Sequence, residues 1–179
     1  EDDNIFLEGT GSMILDRPNK IVYACLSQRT DIGLLDKFCL LKGYTKVAVH
    51  ANDEAGMPIY HTNVMMALGS QFAVVCLEVI RDKEERNHFR ETLNRTGKSI
   101  IEISEDQMNQ FAGNMLEVKS QSGEVIIVMS RQAKKSLSKP QLKRLSDFGT
   151  ILSADIGTIE KYGGGSVRCM MADIFLDKK

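Results

Sequence analysis

No stretch of the 179-residue sequence is apolar for long enough to cross a membrane. Its longest apolar runs, VYACL, FAVVCLEVI and VIIVM, have the length of strands. No run of Lys and Arg marks a nucleic-acid partner or a membrane surface, because 23 basic and 24 acidic residues leave a net charge of -1. No signal peptide is read at the start. The four cysteines, Cys25, Cys39, Cys76 and Cys169, are spaced by 14, 37 and 93 residues. Those spacings fit neither a zinc site nor a disulfide framework. A reducing cytoplasm is therefore the expected compartment. The first residue is Glu, and EDDNIFLEG drops directly into an apparent strand. A further N-terminal portion of the protein is expected to precede it.

What is present is the composition of a globular domain, 42% hydrophobic and 26% charged, on a chain long enough to bury a core. Three segments look alike: GTGSMILD, YHTNVMMAL and FAGNMLEV. Their anchors, Ser12, Asn63 and Asn114, are separated by 51 residues at each step. After each anchor comes a short strand, then a turn (DRPNK, GS, SQSG), then a second strand: IVYACL (21–26), FAVVCL (72–77) and VIIVMS (125–130). A polar helical segment follows and ends at Gly43, Gly97 or Gly149. A third strand, KVAVHA, SIIEISE or TILSADI, closes each unit. The chain thus reads as a single α/β domain, 1–179, of strand–strand–helix–strand units at about 5–51, 58–104 and 111–156. A fourth unit begins at 163 and breaks off after its first strand.

In that fourth unit, GGGSVRCMM aligns Cys169 with Asn114 at a step of 55 residues. Repeats place equivalent positions in equivalent places, commonly around an axis. The lead-ins of the first strands should therefore converge, bringing together Glu8, His61, Phe111 with Asn114, and Cys169. A thiol, an imidazole and a carboxylate form a nucleophile constellation. A nearby imidazolium favours the reactive thiolate, and the same ring can protonate a leaving amine and then activate water. The carboxylate can orient a nitrogen. Glycines such as Gly164 and Gly165 let the backbone approach a substrate and leave room beside the sulfur. The plain alternative is a glycine loop followed by a buried strand cysteine. Cys25, Cys39 and Cys76 read as packing thiols. His50 and His88 read as an edge-strand and a helix-surface residue. The helices DKEERNHFRETLNR, with Phe89 and Leu93 turned inward, and SLSKPQLKRLSD read as outer-layer helices.

Taken together, FLEGTGS, YHTNVMM, QFAGNM and GGGSVRCMM resemble the guanidine-modifying, or pentein, superfamily over essentially the whole chain. The resemblance is nearest to the amidinotransferase-related branch that includes citrulline-utilisation hydrolases. It implies a five-bladed β/α propeller, of which this chain would be the C-terminal three-plus blades. It also implies Cys169 as nucleophile, His61 as general acid and base, and Glu8 as the residue orienting substrate nitrogens. SQRTD resembles an element in which an arginine, here Arg29, holds the substrate α-carboxylate. Asn63 stands where arginine deiminases have an Asp, and EGTGS has Ser12 near the place of another Asp. Because Asn both donates and accepts, Asn63 points to a ureido substrate. Asn114, Gly164 and Gly165 complete the expected substrate-binding set.

The reaction so implied is hydrolysis of citrulline to ornithine through a covalent thio-intermediate, without metal or organic cofactor. Amidino transfer by the same site and a truncated, non-catalytic interaction module stay open as alternatives. Retention of Glu8, His61 and Cys169 together speaks against a degenerate site. The expected partner is a small amino-acid substrate, not nucleic acid or membrane. Monomer and homodimer are both compatible with the resemblance.

Overall fold

A computed structural model describes residues 4–172. The first unit contains α1 (Gly9–Ser12), β1 (Ile14–Asp16), β2 (Ile21–Cys25), α2 (Ile32–Lys42) and β3 (Thr45–Val49). The second contains α3 (Thr62–Met65), β4 (Met66–Leu68), β5 (Phe72–Val75), α4 (Lys83–Arg95) and β6 (Ser99–Glu102). Then come α5 (Glu105–Asn109), β7 (Leu116–Lys119), β8 (Val125–Ser130), α6 (Arg131–Ser136), α7 (Lys139–Ser146), β9 (Thr150–Ala154) and α8 (Gly157–Gly163). A 3-10 turn, Val167–Met170, ends the described chain.

Each unit forms its own three-stranded sheet, with strands in sequence order. In each, the first two strands form an antiparallel hairpin. The helical crossover then returns the chain parallel to the second strand. A parallel return needs such a crossover, because a tight turn can only reverse direction. The middle strand is covered on both faces, which explains its unbroken apolar sequence. In β2, Ile21, Tyr23 and Cys25 enter the main core. Val22 and Ala24 pack with Leu35 and Cys39 of α2.

The helices start where side chains can satisfy free backbone donors. Asp31 accepts from the Leu34 amide, and Asp82 accepts from those of Glu84 and Glu85. Ser138 and Gln141 form a reciprocal capping box at the start of α7. Gly43 ends α2 with a left-handed φ of 67°. Phe89 and Leu93 are fully buried beneath α4, as their spacing predicts.

The structure changes three details of the sequence reading. The lead-ins at 9–12 and 62–65 are single helical turns, not strand beginnings. The third crossover is two helices, α6 and α7, because Ser130 caps an additional helix directly after β8. Cys169 lies in a 3-10 turn, not at the start of a strand. The strand expected after it falls on 173–179, outside the described residues.

The first strands bring the units together: β1 lies against β4, and β4 against β7. At the end of these strands that carries the anchors, α1 packs on α3. Thr62 Oγ1 donates to the Ser12 carbonyl at 2.6 Å and accepts from the Cys25 amide at 2.8 Å. Gly113 lies so close to the second unit that a Cβ there would stand 2.3 Å from the Val64 carbonyl oxygen. No helix among the described residues is long and apolar enough to cross a membrane.

Candidate active site

The helical turns bring Glu8 and His61 together beside a cleft. Glu8 precedes α1, and its amide donates to Ser12 Oγ at 2.9 Å. Ser12 Oγ in turn donates to the Arg29 carbonyl at 2.7 Å, tying the turn to the SQRTD loop. His61 caps α3, and its Nε2 lies 2.6 Å from Glu8 Oε2. A carboxylate can only accept, so the imidazole donates through Nε2. Gly11 lies against this ring; a Cβ there would come within 2.8 Å of Nδ1. Glycine at 11 is therefore what leaves room for the imidazole.

The hydrogen bond from His61 has the largest effect on the Glu8 carboxyl; desolvation opposes it, and the lesser effects of the Arg29 charge and hydrogen bond help hold the carboxyl below its ordinary value of 4.5. Glu8 thus remains an anion below the pH at which an exposed glutamate would be half protonated. The pairing is fully present above the ordinary carboxyl value and fades as pH falls through the lowered one.

Cys169 reaches the cleft from another direction. Helix α8 ends at Gly164, whose φ of +67° favours glycine. A Cβ on Gly165 would stand 3.1 Å from Cys169 Cβ and 3.3 Å from Sγ, so the second glycine makes room for the thiol. Ser166 is buried, donates to Glu160 Oε1 at 2.6 Å, and accepts at its carbonyl from the Cys169 amide at 3.0 Å. Asn114 Nδ2 donates to Sγ at 3.3 Å, and Asn63 Nδ2 stands 3.9 Å from it.

Tyr60 joins the two halves, and the sequence reading missed it. Its ring packs on His61 at a tilt of 53°, 4.9 Å between centroids, and its hydroxyl donates to the Gly164 carbonyl at 3.3 Å. Burial and the adjacent Cys169 push the Tyr60 hydroxyl's pKa up, against a smaller effect of Arg29. Repeat register carried a signal here: Tyr60 and Phe111 stand 51 residues apart, and both line the cleft. The cleft has a volume of about 230 Å³, with Val64, Met108 and Asn114 among its walls. A larger opening of about 550 Å³ beside Arg131, Lys135 and Glu160 contains none of the Cys–His–Glu set.

Asn114, Gly164, Gly165 and Cys169 therefore line the cleft, Asn63 approaches the thiol, and the Glu8–His61 pair stands beside it, joined through the Tyr60 ring. Arg29 stands beside that pair, half exposed, with Nη1 3.3 Å from Glu8 Oε2. Among the described residues, no three His, Cys, Asp or Glu side chains are grouped to hold a metal ion.

The thiols differ sharply in environment. Burial pushes Cys25 up to about 11 and Cys76 up to about 12, and it also raises Cys39. Cys169 alone among the four is exposed. Brief treatment with iodoacetamide at pH 8 is expected to modify Cys169 and leave the other three largely unlabelled, as read by peptide mass spectrometry.

The fold and the sequence match place this chain in the pentein, guanidine-modifying superfamily. Within it, the chain belongs to the family described as N,N dimethylarginine dimethylhydrolase, eukaryotic, which matches residues 1–176. The match is thus to a dimethylarginine family, where the motifs resemble the citrulline-utilisation branch.

Among solved structures, apo ArgZ, an arginine dihydrolase from the ornithine-ammonia cycle in cyanobacteria, is similar with a TM-score of 0.72 and 17% identity. That likeness covers 92% of this chain and 24% of ArgZ. The product-bound N-terminal domain of ArgZ gives 0.70 and 18%, over 92% of this chain and 55% of the domain. A dimethylarginine dimethylaminohydrolase variant carrying an S-methyl-L-thiocitrulline adduct gives 0.57 and 17%, over 92% and 57%. At these identities the likeness is one of fold. No curated protein matches the chain in sequence.

Proposed function

We propose that this chain carries a cysteine-dependent hydrolase site for the guanidino or ureido carbon of an arginine-like amino acid. The observation that carries this reading is Tyr60, which lines the cleft of the amide-contacted Cys169 thiol and packs its ring on His61, the partner of Glu8. Cys169 attacks the central carbon as a thiolate. The tetrahedral adduct collapses as His61 protonates the departing nitrogen, leaving a covalent thio-intermediate. His61 then takes a proton from water, which attacks the same carbon and releases the thiolate. Glu8 keeps the ring oriented and offers its carboxylate to substrate N–H groups. The three units are blades of a pentein propeller, and the site lies at the end of its axis that carries the anchor residues. The protein works in the cytoplasm, as a monomer or homodimer.

Two observations favour different substrates. Glu8 is already matched by His61 and Arg29, and Asn63 replaces a second carboxylate, so a neutral ureido group such as that of citrulline meets no charge deficit. Val64, Met108 and Phe111 give the cleft apolar walls, which suit the N-methyl groups of dimethylarginine and agree with the family match. For citrulline the products are ornithine, ammonia and carbon dioxide; for dimethylarginine they are dimethylamine and citrulline.

The test supplies citrulline, arginine and dimethylarginine separately and measures the released amine and the amino-acid product, with Cys169→Ala as control. Release from citrulline alone supports the ureido assignment. Release from either guanidino substrate overturns that assignment and keeps the hydrolase. Silence with all three overturns the hydrolase reading of this chain and leaves amidino transfer or an interaction role.

A further inference from the structure

We infer that Asn114 is a positioning residue for the Cys169 nucleophile, distinct from the substrate contact its place in the repeat first implied. The inference rests on the proposed role of Cys169. Asn114 is only 3% exposed. Its Oδ1 accepts from the Arg168 amide at 3.1 Å, holding the peptide just before the cysteine. Its Nδ2 donates to Cys169 Sγ at 3.3 Å and to the Asn63 carbonyl at 3.2 Å. One carboxamide thus grips the backbone and the sulfur of the same turn and fastens both to the second unit. An amide nitrogen has two hydrogens, and both are engaged here. None remains to donate to a substrate.

Repeat register explains how the side chain gets there. Asn114 lies 51 residues after Asn63, and Cys169 lies 55 after Asn114. The longer last step contains α8 and its glycine turn. That turn delivers a thiol onto the amide of the preceding unit. An N–H aimed at sulfur stabilises the anion more than the neutral thiol, because hydrogen bonds to an ionised partner are the stronger ones. Asn114 therefore acts on the aim and reactivity of the nucleophile.

Asn114→Asp keeps the acceptor for the Arg168 amide but puts an anionic oxygen toward the sulfur. Asn114→Leu removes the donor without adding charge. In both, Cys169 alkylation by iodoacetamide at pH 7 is expected to slow at least about tenfold. With any substrate that is turned over, kcat should fall while KM stays within about twofold. Unchanged alkylation in folded variants overturns the inference, as does a raised KM at constant kcat.

If neither variant folds, the wild-type chain decides. The Asn114 side-chain amide resonances should move when Cys169 is carbamidomethylated, and unmoved resonances overturn the inference. Alkylation and resonance shifts require no substrate, so they stand apart from any failure of the hydrolase reading.

Discussion

Replacing His61 by alanine is expected to lower turnover by about 10²–10⁴-fold, the range a positioned acid–base group supplies. The geometry makes the histidine's task specific. Nε2 is committed to Glu8 at 2.6 Å, so in the proposed mechanism the second ring nitrogen would carry the mobile proton. The ring is held from two sides, by Tyr60 at 4.9 Å and by the Cβ-free face of Gly11. Without it, a leaving nitrogen must depart unprotonated, and water must attack the thio-intermediate unaided. Cys169→Ala should be more severe, because no covalent intermediate can form.

The two substitutions leave different traces in a single-turnover experiment read by intact-protein mass spectrometry. His61→Ala should form adduct slowly and release it slowly, so a substrate-sized mass increment persists on the protein. Cys169→Ala should show no increment. A His61→Ala enzyme as fast as wild type would remove His61 from the proton path and leave Glu8 without a catalytic reason to contact it.

Much of this arrangement could be read from the sequence because the repeat is local. Hairpin turns, glycine helix stops and an alternation of strand and helix recur at one period, and each is encoded within a few residues. The pairing of Glu8 with His61 and that of Asn114 with Cys169 join positions that this period puts in register. The single helical turns at 9–12 and 62–65 were hidden because four residues are too few for a helical pattern to show. The pairing of Arg29 with Glu8 was hidden because SQRTD and FLEG meet only in the folded chain. Lys98 shows the same limit. In the sequence it is a polar residue after a helix-ending glycine, whereas in the fold it is among the most buried charges, 7% exposed. Sequence pattern reports local geometry well and the depth of a single charged side chain poorly.

That buried lysine gives the largest expected effect on stability. Lys98 Nζ stands 3.4 Å from Asp16 Oδ2, and the carboxylate of Asp16 is fully buried. The ammonium also donates to the Gly69 carbonyl at 3.3 Å and the Ser70 carbonyl at 2.8 Å. Asp16 accepts in addition from Asn19 Nδ2 at 3.0 Å. The pair therefore fastens the end of β1 to the β4–β5 turn, at the end of the first strands away from the anchor residues.

Lys98→Met preserves most of the volume but strands a buried carboxylate and two carbonyls. Breaking one partner of such a pair costs about 3–5 kcal/mol. For a chain of this size the lower figure corresponds to a fall of about 6–12 °C in Tm, checked by thermal unfolding. Asp16→Leu alone should be comparably damaging, since it leaves the ammonium uncompensated.

The double variant Asp16→Leu with Lys98→Met should be less destabilised than the sum of the two singles, because no isolated charge is left to desolvate. Strict additivity would mean that the two side chains act independently, and that the Asp16–Lys98 contact does not staple the first unit to the second. A recovery toward wild-type Tm would show that the attraction between the two charges serves mainly to cancel the cost of having buried them.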